Sequence, residues 1–231
     1  MTVVRSLHRY PVKSVVGEQV DALDVDGRGV VGDRRWAVVD ADGKLGSGKS
    51  SRRFRKMDGL LRLASAYDGD VPVLTFPDGR MVRGDDPDVH QALTAYVGRP
   101  VTLGQEAEVS HLDEGPLHLV TTASLASAAD ALGRDVPPAR MRPNLVVDTG
   151  TATGLVENDW VGRQLAVGDE VVLHVRGPMD RCVMVGMDQV GLPAERELLG
   201  ALAGINDTCL GVVLDVVRGG RVTVGNEVRV G

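Results

Sequence analysis

The sequence predicts a mainly β protein with a few short helices, of α+β type, and three observations predict it. The chain is rich in valine and carries 29 glycines among 231 residues; valine favours strands and glycine favours turns. Its apolar runs are short, and most end at a turn signal. Hydrophobic residues at 43% and charged residues at 25% suit an ordinary soluble globular chain, long enough to bury a real core.

The elements follow in order. The opening "TVVRSLHRYPV" reads as a strand. "VDALDVDGRGVVGDRRWAVVDADG" reads as strand, Gly-rich bend, strand and turn, with "DADG" as a hairpin-type turn. "VPVLTFPDGRMV" predicts a second hairpin around "PDG". In "DDPDVHQALTAYVG" an acidic start precedes apolar residues at near-helical spacing, which predicts a short helix. The polar "GQEAEVSHLDEGP", about residues 104–116, predicts a connection between an N-terminal domain over 1–105 and a C-terminal domain over 106–231. Beyond it, "LHLVTTASLASAADAL" reads as a strand entering a helix, with Thr121, Thr122 or Ser124 as its cap. "RMRPNLVVDTG" begins another strand, with Pro143 at its edge. "LAVGDEVVLHV" and "VTVGNEVRV" each predict two strands about a tight turn, in a closed or nearly closed sheet. "PAERELLGALAG" predicts a short helix between them.

Several function classes are disfavoured. A net charge of -6 argues against a general nucleic-acid binder, which is normally basic, although a local basic pocket for a small anion remains compatible with it. No apolar run approaches the roughly 18 residues of a membrane-spanning helix. The N-terminal "MTVVRSLHRYPVKSV" places charges inside any apolar core, unlike a secretion signal. A cytoplasmic, non-membrane protein is therefore expected. Cys182 and Cys209 are too few for a disulfide framework. The five histidines show no zinc spacing; His111 and His118 are expected to face solvent, and Trp36 and Trp160 to be core or pocket walls.

"GKLGSGKS", Gly43 to Ser50, matches the phosphate-cradling pattern G-x-x-x-x-G-K-[ST]. A true phosphate loop follows a buried parallel strand and opens a helix whose amides bind the phosphates. Here "DADG" turns the chain first, and the following "SRRFRKMDGLLRL" is too basic to suit the positive end of a helix dipole. Nucleotide hydrolysis is not expected. Lys44, Lys49, Arg52, Arg53 and Arg55 instead form either a basic surface loop or the flank of an anionic ligand.

Cys182 follows "RGPMD", a turn leaving the strand "VVLHVR". Its neighbour Arg181 is a local reason for an acidified thiol, and thiolate is the form that binds metal; the alternative is a buried structural cysteine. Cys209 begins an apolar strand and reads as core.

"YPVKSVVGE" (10–18), "GDRRWAVVD" (32–40), "RMRPNLVV" (140–147), "ENDWVG" (157–162) and "PMDRCVMVGMD" (178–188) together resemble the MOSC family, relatives of the C-terminal domain of molybdenum-cofactor sulfurase. The first two are similar to the β-barrel N-terminal domain that precedes MOSC in many members. The functional subgroup it most resembles is that of the mitochondrial amidoxime-reducing component and its bacterial counterparts. That resemblance implies an N-terminal barrel-like domain and a MOSC β-barrel. It also implies a molybdenum–molybdopterin cofactor with Cys182 as metal ligand and catalytic residue. Lys13 and Ser14 match a cofactor-contacting "KS" pair, Arg34 the Arg of "DRxW", Arg142 and Asn144 the pair in "RPN", and Arg181 the Arg of "RC". Asp180, beside them, is counted with the cofactor-binding set.

The implied activity is reduction of N-hydroxylated compounds, namely amidoximes, hydroxylamines and N-oxides, by oxygen-atom transfer. Electrons would come from a separate ferredoxin, flavodoxin or reductase; pyridoxal phosphate is not an expected cofactor. Two departures touch the thiol: Met179 stands where many members have a second cysteine, and Asp180 where they have a small serine. "VGMDQ" also replaces the usual "TTVDP", and a ferredoxin-like extension is not expected. These departures keep two rivals open, a sulfur-transfer protein with a Cys182 persulfide and a non-catalytic cofactor carrier.

Overall fold

Short strands of alternating or continuous apolar residues assemble into four sheets in the computed structural model, which describes residues 1–231. The largest has eight strands. Their spatial order is Val228–Val230, Gln164–Val167, Val171–Asp180, Cys209–Arg218, Leu117–Thr121, Leu145–Asp148, Val3–Arg9 and Glu18–Val20. All five residues of Leu117–Thr121 are buried, because both faces of this sheet are covered. Successive side chains of a strand point to opposite faces. Leu117 and Leu119 accordingly join a 19-residue inner core, while Val120 joins a second cluster against the helices.

Leu117–Thr121 and Leu145–Asp148 run parallel, so a crossover must join them. Helix α2 (Thr122–Leu132) provides it. Of the three candidate caps, Thr121 serves: its hydroxyl accepts the Ser124 N–H at 3.1 Å. Of the other helices, α1 (Val89–Val97) lies within the segment expected to form it, and α3 (Leu198–Asn206) begins in its expected segment and runs two residues past it.

The barrel expectation needs one correction. No continuous ladder closes the eight-stranded sheet on itself. The edge near Val228–Val230 meets the penultimate strand Val3–Arg9 only at an isolated bridge between Val3 and Glu227, supported by Val228 N–H to Thr2 O at 2.8 Å and Val4 N–H to Asn226 O at 2.9 Å.

Of the remaining sheets, one joins Gly220–Thr223 to Ala22–Asp26 and Gly29–Val30, and the other two hold N-terminal segments. One pairs Val101–Gln105, Trp36–Asp40, Leu45–Ser47 and Phe54–Lys56; another is the meander Ala64–Asp68, Val71–Thr75 and Met81–Arg83. Around them lies a 14-residue core that includes Val12 and Val15. The "VTVGNEVRV" segment is two strands about a turn, but they do not pair with each other. Gly220–Thr223 joins Ala22–Asp26, whereas Val228–Val230 joins Gln164–Val167. Asn226 fixes that divergence, its side-chain oxygen accepting the Thr223 N–H at 2.8 Å.

"GKLGSGKS" forms the second arm of a hairpin. Leu45–Ser47 is a buried strand paired antiparallel to Trp36–Asp40, and the next regular element is another strand, Phe54–Lys56. No helix opens at its end, so the amides of a phosphate loop are missing. No helix of the protein is long and apolar enough to cross a membrane.

Leu173 is fully buried in the inner core. Leu173→Ala is expected to lower stability by about 3 kcal/mol, read in urea unfolding as a fall in midpoint with an unchanged slope.

Candidate functional site

The segment "YPVKS" leaves the first strand and carries the chain from the inner core into the N-terminal core. Tyr10 and Val12 are buried on the way, and the Lys13 N–H is tied to Trp36 O at 2.8 Å. Two guanidiniums then converge on the Tyr10 ring, Arg34 at 4.6 Å and Arg142 at 4.4 Å from its centroid. A cation over an aromatic face is attracted by the ring quadrupole, more strongly when water is excluded. The Tyr10 hydroxyl donates to Pro143 O at 3.1 Å, and Arg34 donates to Arg142 O at 3.3 Å.

Buried Asp33 makes this cluster tolerable. Its carboxylate pairs with Arg34 and accepts the Tyr10 N–H at 2.7 Å. Burial works to lower Arg34, but Asp33 and Tyr10 outweigh it and hold its pKa above the ordinary value. Arg142 has no such partner: burial, then Arg34, push it down to about 10. One of its terminal nitrogens, Nη2, is buried with nothing to donate to, while Nη1 donates to Val15 O at 2.9 Å. A buried, unsatisfied guanidinium nitrogen demands an acceptor.

Lys13 is the third cation. Its ammonium lies 4.7 Å from the Phe54 ring centroid and donates to His111 O at 2.9 Å and to the Asp113 carboxylate at 2.6 Å. Burial lowers its pKa to about 8, against the pull of Asp113.

Three bulged positions interrupt the pairing of Val171–Asp180 with Cys209–Arg218. Bulges bend a strand and re-aim its end, and this end delivers Asp180, Arg181 and Cys182. Cys182 is half-buried and precedes the tight turn Val183–Gly186. Arg181 lines the cleft, but its guanidinium is spent on bolting the turn in place. Its guanidinium donates to Met141 O at 3.0 Å, to Leu210 O at 2.9 Å, and to His118 Nε2. A guanidinium only donates, so Nε2 of His118 accepts and the imidazole proton sits on Nδ1. Burial, joined by Arg181, keeps that imidazole neutral.

One cleft gathers most of the predicted residues: Lys13, Ser14, Arg34, Arg142, Asp180, Arg181 and Cys182 all line it, with Lys49, Asp113, Met179 and Met184 among the rest. Asn144 does not. It lies in an adjoining cavity, and its amide is used by the backbone, donating to His8 O and accepting from His118 N–H, each at 3.2 Å. Its role here is to tie the first strand to Leu117–Thr121. A roomier groove, about 560 Å³, lies between the Gly43 hairpin and residues 105–111. It contains no thiol and none of the converging cations, so the chemistry favours the smaller cleft. No cluster of three or more His, Cys, Asp or Glu side chains is placed to hold a metal; a metal here relies on a ligand bringing its own donors.

Backbone geometry marks the same place. Five non-glycine residues have positive φ: Ser14 (60°), Arg34 (49°), Arg142 (51°), Asp207 (46°) and Thr208 (69°). Three line the cleft. Of the other two, Thr208 buttresses it, since Thr208 Oγ1 donates to Asp180 at 2.8 Å and Thr208 O accepts the Arg181 N–H at 3.1 Å. Each such residue stores about 1–3 kcal/mol, and such strain concentrates at functional sites.

Other expectations are corrected. His111 and His118 are buried at 5% and 4% exposure, with Lys13 against the backbone of His111 and Arg181 against the ring of His118. Cys209 is half-exposed rather than core; it pairs with Asp180 at the sheet end, and burial with that carboxylate pushes its thiol up. Of the five cations around "GKLGSGKS", only Lys49 lines the cleft, whereas Arg55 pairs with Asp40 and Asp42. Gly48 packs closely there: a Cβ on it would stand 2.5 Å from Met187 Sδ, and the methionine would have to shift. Sequence reasoning missed Tyr10 as the shared platform, although it lies within the quoted "YPVKS". It also missed Asp113 and Thr208, for which local sequence offered no signal.

Comparison with known proteins adds the following. Residues 99–229 match the family model of the MOSC domain, and residues 1–92 match that of the MOSC N-terminal beta barrel domain. No curated protein matches the chain significantly. The crystal structure of the YUAD protein from Bacillus subtilis is similar over 100% of this chain and 96% of that one, at 18% identity and a TM-score of 0.53; at that identity the likeness concerns the fold alone. A YiiM structure from Geobacillus stearothermophilus aligns over 50% of this chain and 54% of that one, at 16% identity and a TM-score of 0.38. A hypothetical protein aligns over 100% and 68%, at 11% and 0.48. Scores below 0.5 leave these two as distant likenesses.

Two predictions come from this geometry. Between pH 8 and the ordinary lysine value of 10.5, the unfolded chain holds more protons at Lys13 than the folded one, so this group makes stability rise with pH across that window. Relative to Lys13→Met, wild-type stability is expected to rise by up to about 3 kcal/mol over that range in urea titrations; a flat difference would show that the ammonium is not desolvated. At Thr208, asparagine tolerates positive φ and keeps a donor. Thr208→Asn is therefore expected to gain up to about 1 kcal/mol in thermal unfolding, while Thr208→Val, which keeps the strain and loses the hydroxyl, loses about 1 kcal/mol.

Proposed function

The chain belongs to the MOSC-domain family, one associated with molybdenum-cofactor binding, and from that premise we propose that its cationic cleft holds a molybdenum pterin and that the protein reduces N-hydroxylated compounds. The observation that carries this is the meeting of one thiol with cations from three distant segments: Cys182 shares its cleft with Lys13, Arg34 and Arg142. A phosphate group would satisfy the orphaned Arg142 Nη2 and share the charge of Lys13, in the charge-assisted bonds that arginine and lysine favour. Cys182 supplies a soft sulfur ligand, the type that suits molybdenum held by other sulfurs. The residues present thus fit the group.

When bound, the cofactor would supply two-electron oxygen-atom transfer. The N–O bond of the substrate breaks, two electrons and two protons are taken up, and the oxygen leaves as water. The electrons come from a separate donor such as a ferredoxin, flavodoxin or reductase. The chain's own work is binding, orientation and access. Tyr10 holds Arg34 and Arg142 in register, and Ser14 offers a hydroxyl beside Lys13. Arg181 and Thr208 fix the turn that presents Cys182, whose proton must leave for the sulfur to bind metal.

A second reading, a Cys182 persulfide carrier, draws on the small space in the cleft, about 130 Å³, which is ample for one added sulfur. Cyanide-releasable sulfur on molybdenum-free protein would favour it.

The test is metal analysis of protein from a host that makes the cofactor, beside Cys182→Ser. Stoichiometric molybdenum is expected in the wild type and a loss of at least about tenfold in the variant, with benzamidoxime turnover by reduced dye in the wild type only. Equal molybdenum in both would remove Cys182 as the ligand, and retained molybdenum without turnover would indicate a carrier.

A further inference from the structure

Residues 106–116 cross the mouth of the cleft as a strap, and cations hold it at each step. Glu106 anchors one end in a two-pronged pair with Arg28, at 2.6 Å for each contact. Arg53 donates to Ser110 O and Arg176 to Glu114 O, both at 2.6 Å. Between these anchors, Asp113 places its carboxylate on the Lys13 ammonium at 2.6 Å. The strap backbone is thus clamped, while Asp113 is joined to the cleft by a single side-chain pair.

The two partners differ in their need for each other. The Lys13 side chain is 3% exposed and the Asp113 side chain 45% exposed. A buried ammonium requires a counter-charge, whereas a half-exposed carboxylate regains water by a rotation about its own side-chain bonds. The cleft is also tight: about 130 Å³, against the roughly 300–1,000 Å³ of ordinary cofactor pockets. Asp113 and Glu114 are among the groups that narrow it.

We propose that Asp113 is a built-in competitor for the anion seat at Lys13: a phosphate-bearing ligand enters by exchanging with this carboxylate, so Asp113 sets the seat's affinity for phosphate. The inference rests on reading Lys13 as an anion-binding residue, but not on the identity of the molecule that carries the phosphate. It assigns the polar strap a task beyond connecting two halves of the chain. Ligands that offer a stronger anion than a carboxylate are admitted, and those that offer only a carboxylate gain nothing over the resident one.

The experiment is calorimetric titration of inorganic phosphate into the full chain, made in a host unable to synthesise the molybdenum cofactor. Asp113→Asn is expected to bind phosphate about tenfold more tightly than the wild type, and Asp113→Ser likewise. Lys13→Met combined with Asp113→Asn should lose that gain. Asp70→Asn, which removes an exposed carboxylate in the turn before Val71, controls for net charge. Equal affinity of Asp113→Asn and Asp70→Asn would overturn the proposal, as would phosphate binding to none of the variants. Molybdenum retained by wild type and Asp113→Asn from a cofactor-making host separates the sources. Greater retention by the variant assigns the seat to the cofactor's phosphate. Molybdenum in neither, with the phosphate gain intact, would sink the cofactor reading and leave the competitor standing for another phosphate ligand.

Discussion

The site depends on one aromatic ring that two guanidiniums share. Arg34 comes from the turn before the Trp36–Asp40 strand and Arg142 from the turn before Leu145–Asp148, and both lie within 4.6 Å of the Tyr10 centroid. Two like charges at this spacing repel strongly once water is excluded. The ring quadrupole, the buried Asp33 carboxylate and the carbonyl of Arg142 itself offset that repulsion. Because Tyr10 also donates to Pro143 O, the same ring links the segment leaving the first strand to the segment entering a central one. Removing the ring would leave Arg34 held mainly by Asp33 and Arg142 mainly by Val15 O, without the surface that brings the two together.

Around this platform the protein holds cations in conditions they resist. Burial drives Lys13 down to about 8 and Arg142 to about 10, and positive φ is imposed on Ser14, Arg34 and Arg142. Each departure lowers stability a little, and the inner core of buried Leu and Val offsets it. A surface lysine would bind an anion weakly because water competes for it. A desolvated one gains much more from a partner, which is why the strap's carboxylate and an incoming phosphate are rivals of consequence.

The octapeptide "GKLGSGKS" shows how a literal motif can belong to different physics. Its glycines answer to local structure rather than to phosphate: Gly43 takes positive φ in the hairpin turn, Gly46 packs closely on Met57 and Leu60, and Gly48 on Met184 and Met187. The close approach brings Lys49 into the cationic cleft, so the segment reaches it through one side chain instead of a ring of helix amides. The buried Glu157 of "ENDWVG" makes a related point. It accepts hydroxyl hydrogen bonds from Thr121 and Ser124 at the start of α2, and one of its oxygens has no partner. A charged residue in a polar-looking stretch is thereby part of the interior.

What the sequence by itself determined was local: strands wherever valine alternates or runs, hairpins at "DADG" and "PDG", a helix cap among Thr121, Thr122 and Ser124, and the rejection of a phosphate loop from its basic flank. Family likeness in "YPVKS", "GDRRW", "RMRPN" and "DRC" also picked out seven of the residues that line the cleft, Lys13, Ser14, Arg34, Arg142, Asp180, Arg181 and Cys182, though not Asp113. These were legible because propensity, turn chemistry and ordered motifs act over a few neighbouring residues. Only the tertiary structure decided that Arg181 and Asn144 face inward to backbone partners, that His111 and His118 are buried, that the two strands of "VTVGNEVRV" part to different sheets, and that Asp113 lies on Lys13. Each of those outcomes depends on which carbonyls and charges arrive from segments far apart in the chain. An arginine cannot signal its direction in advance, because its hydrogen-bond acceptors are supplied by other strands.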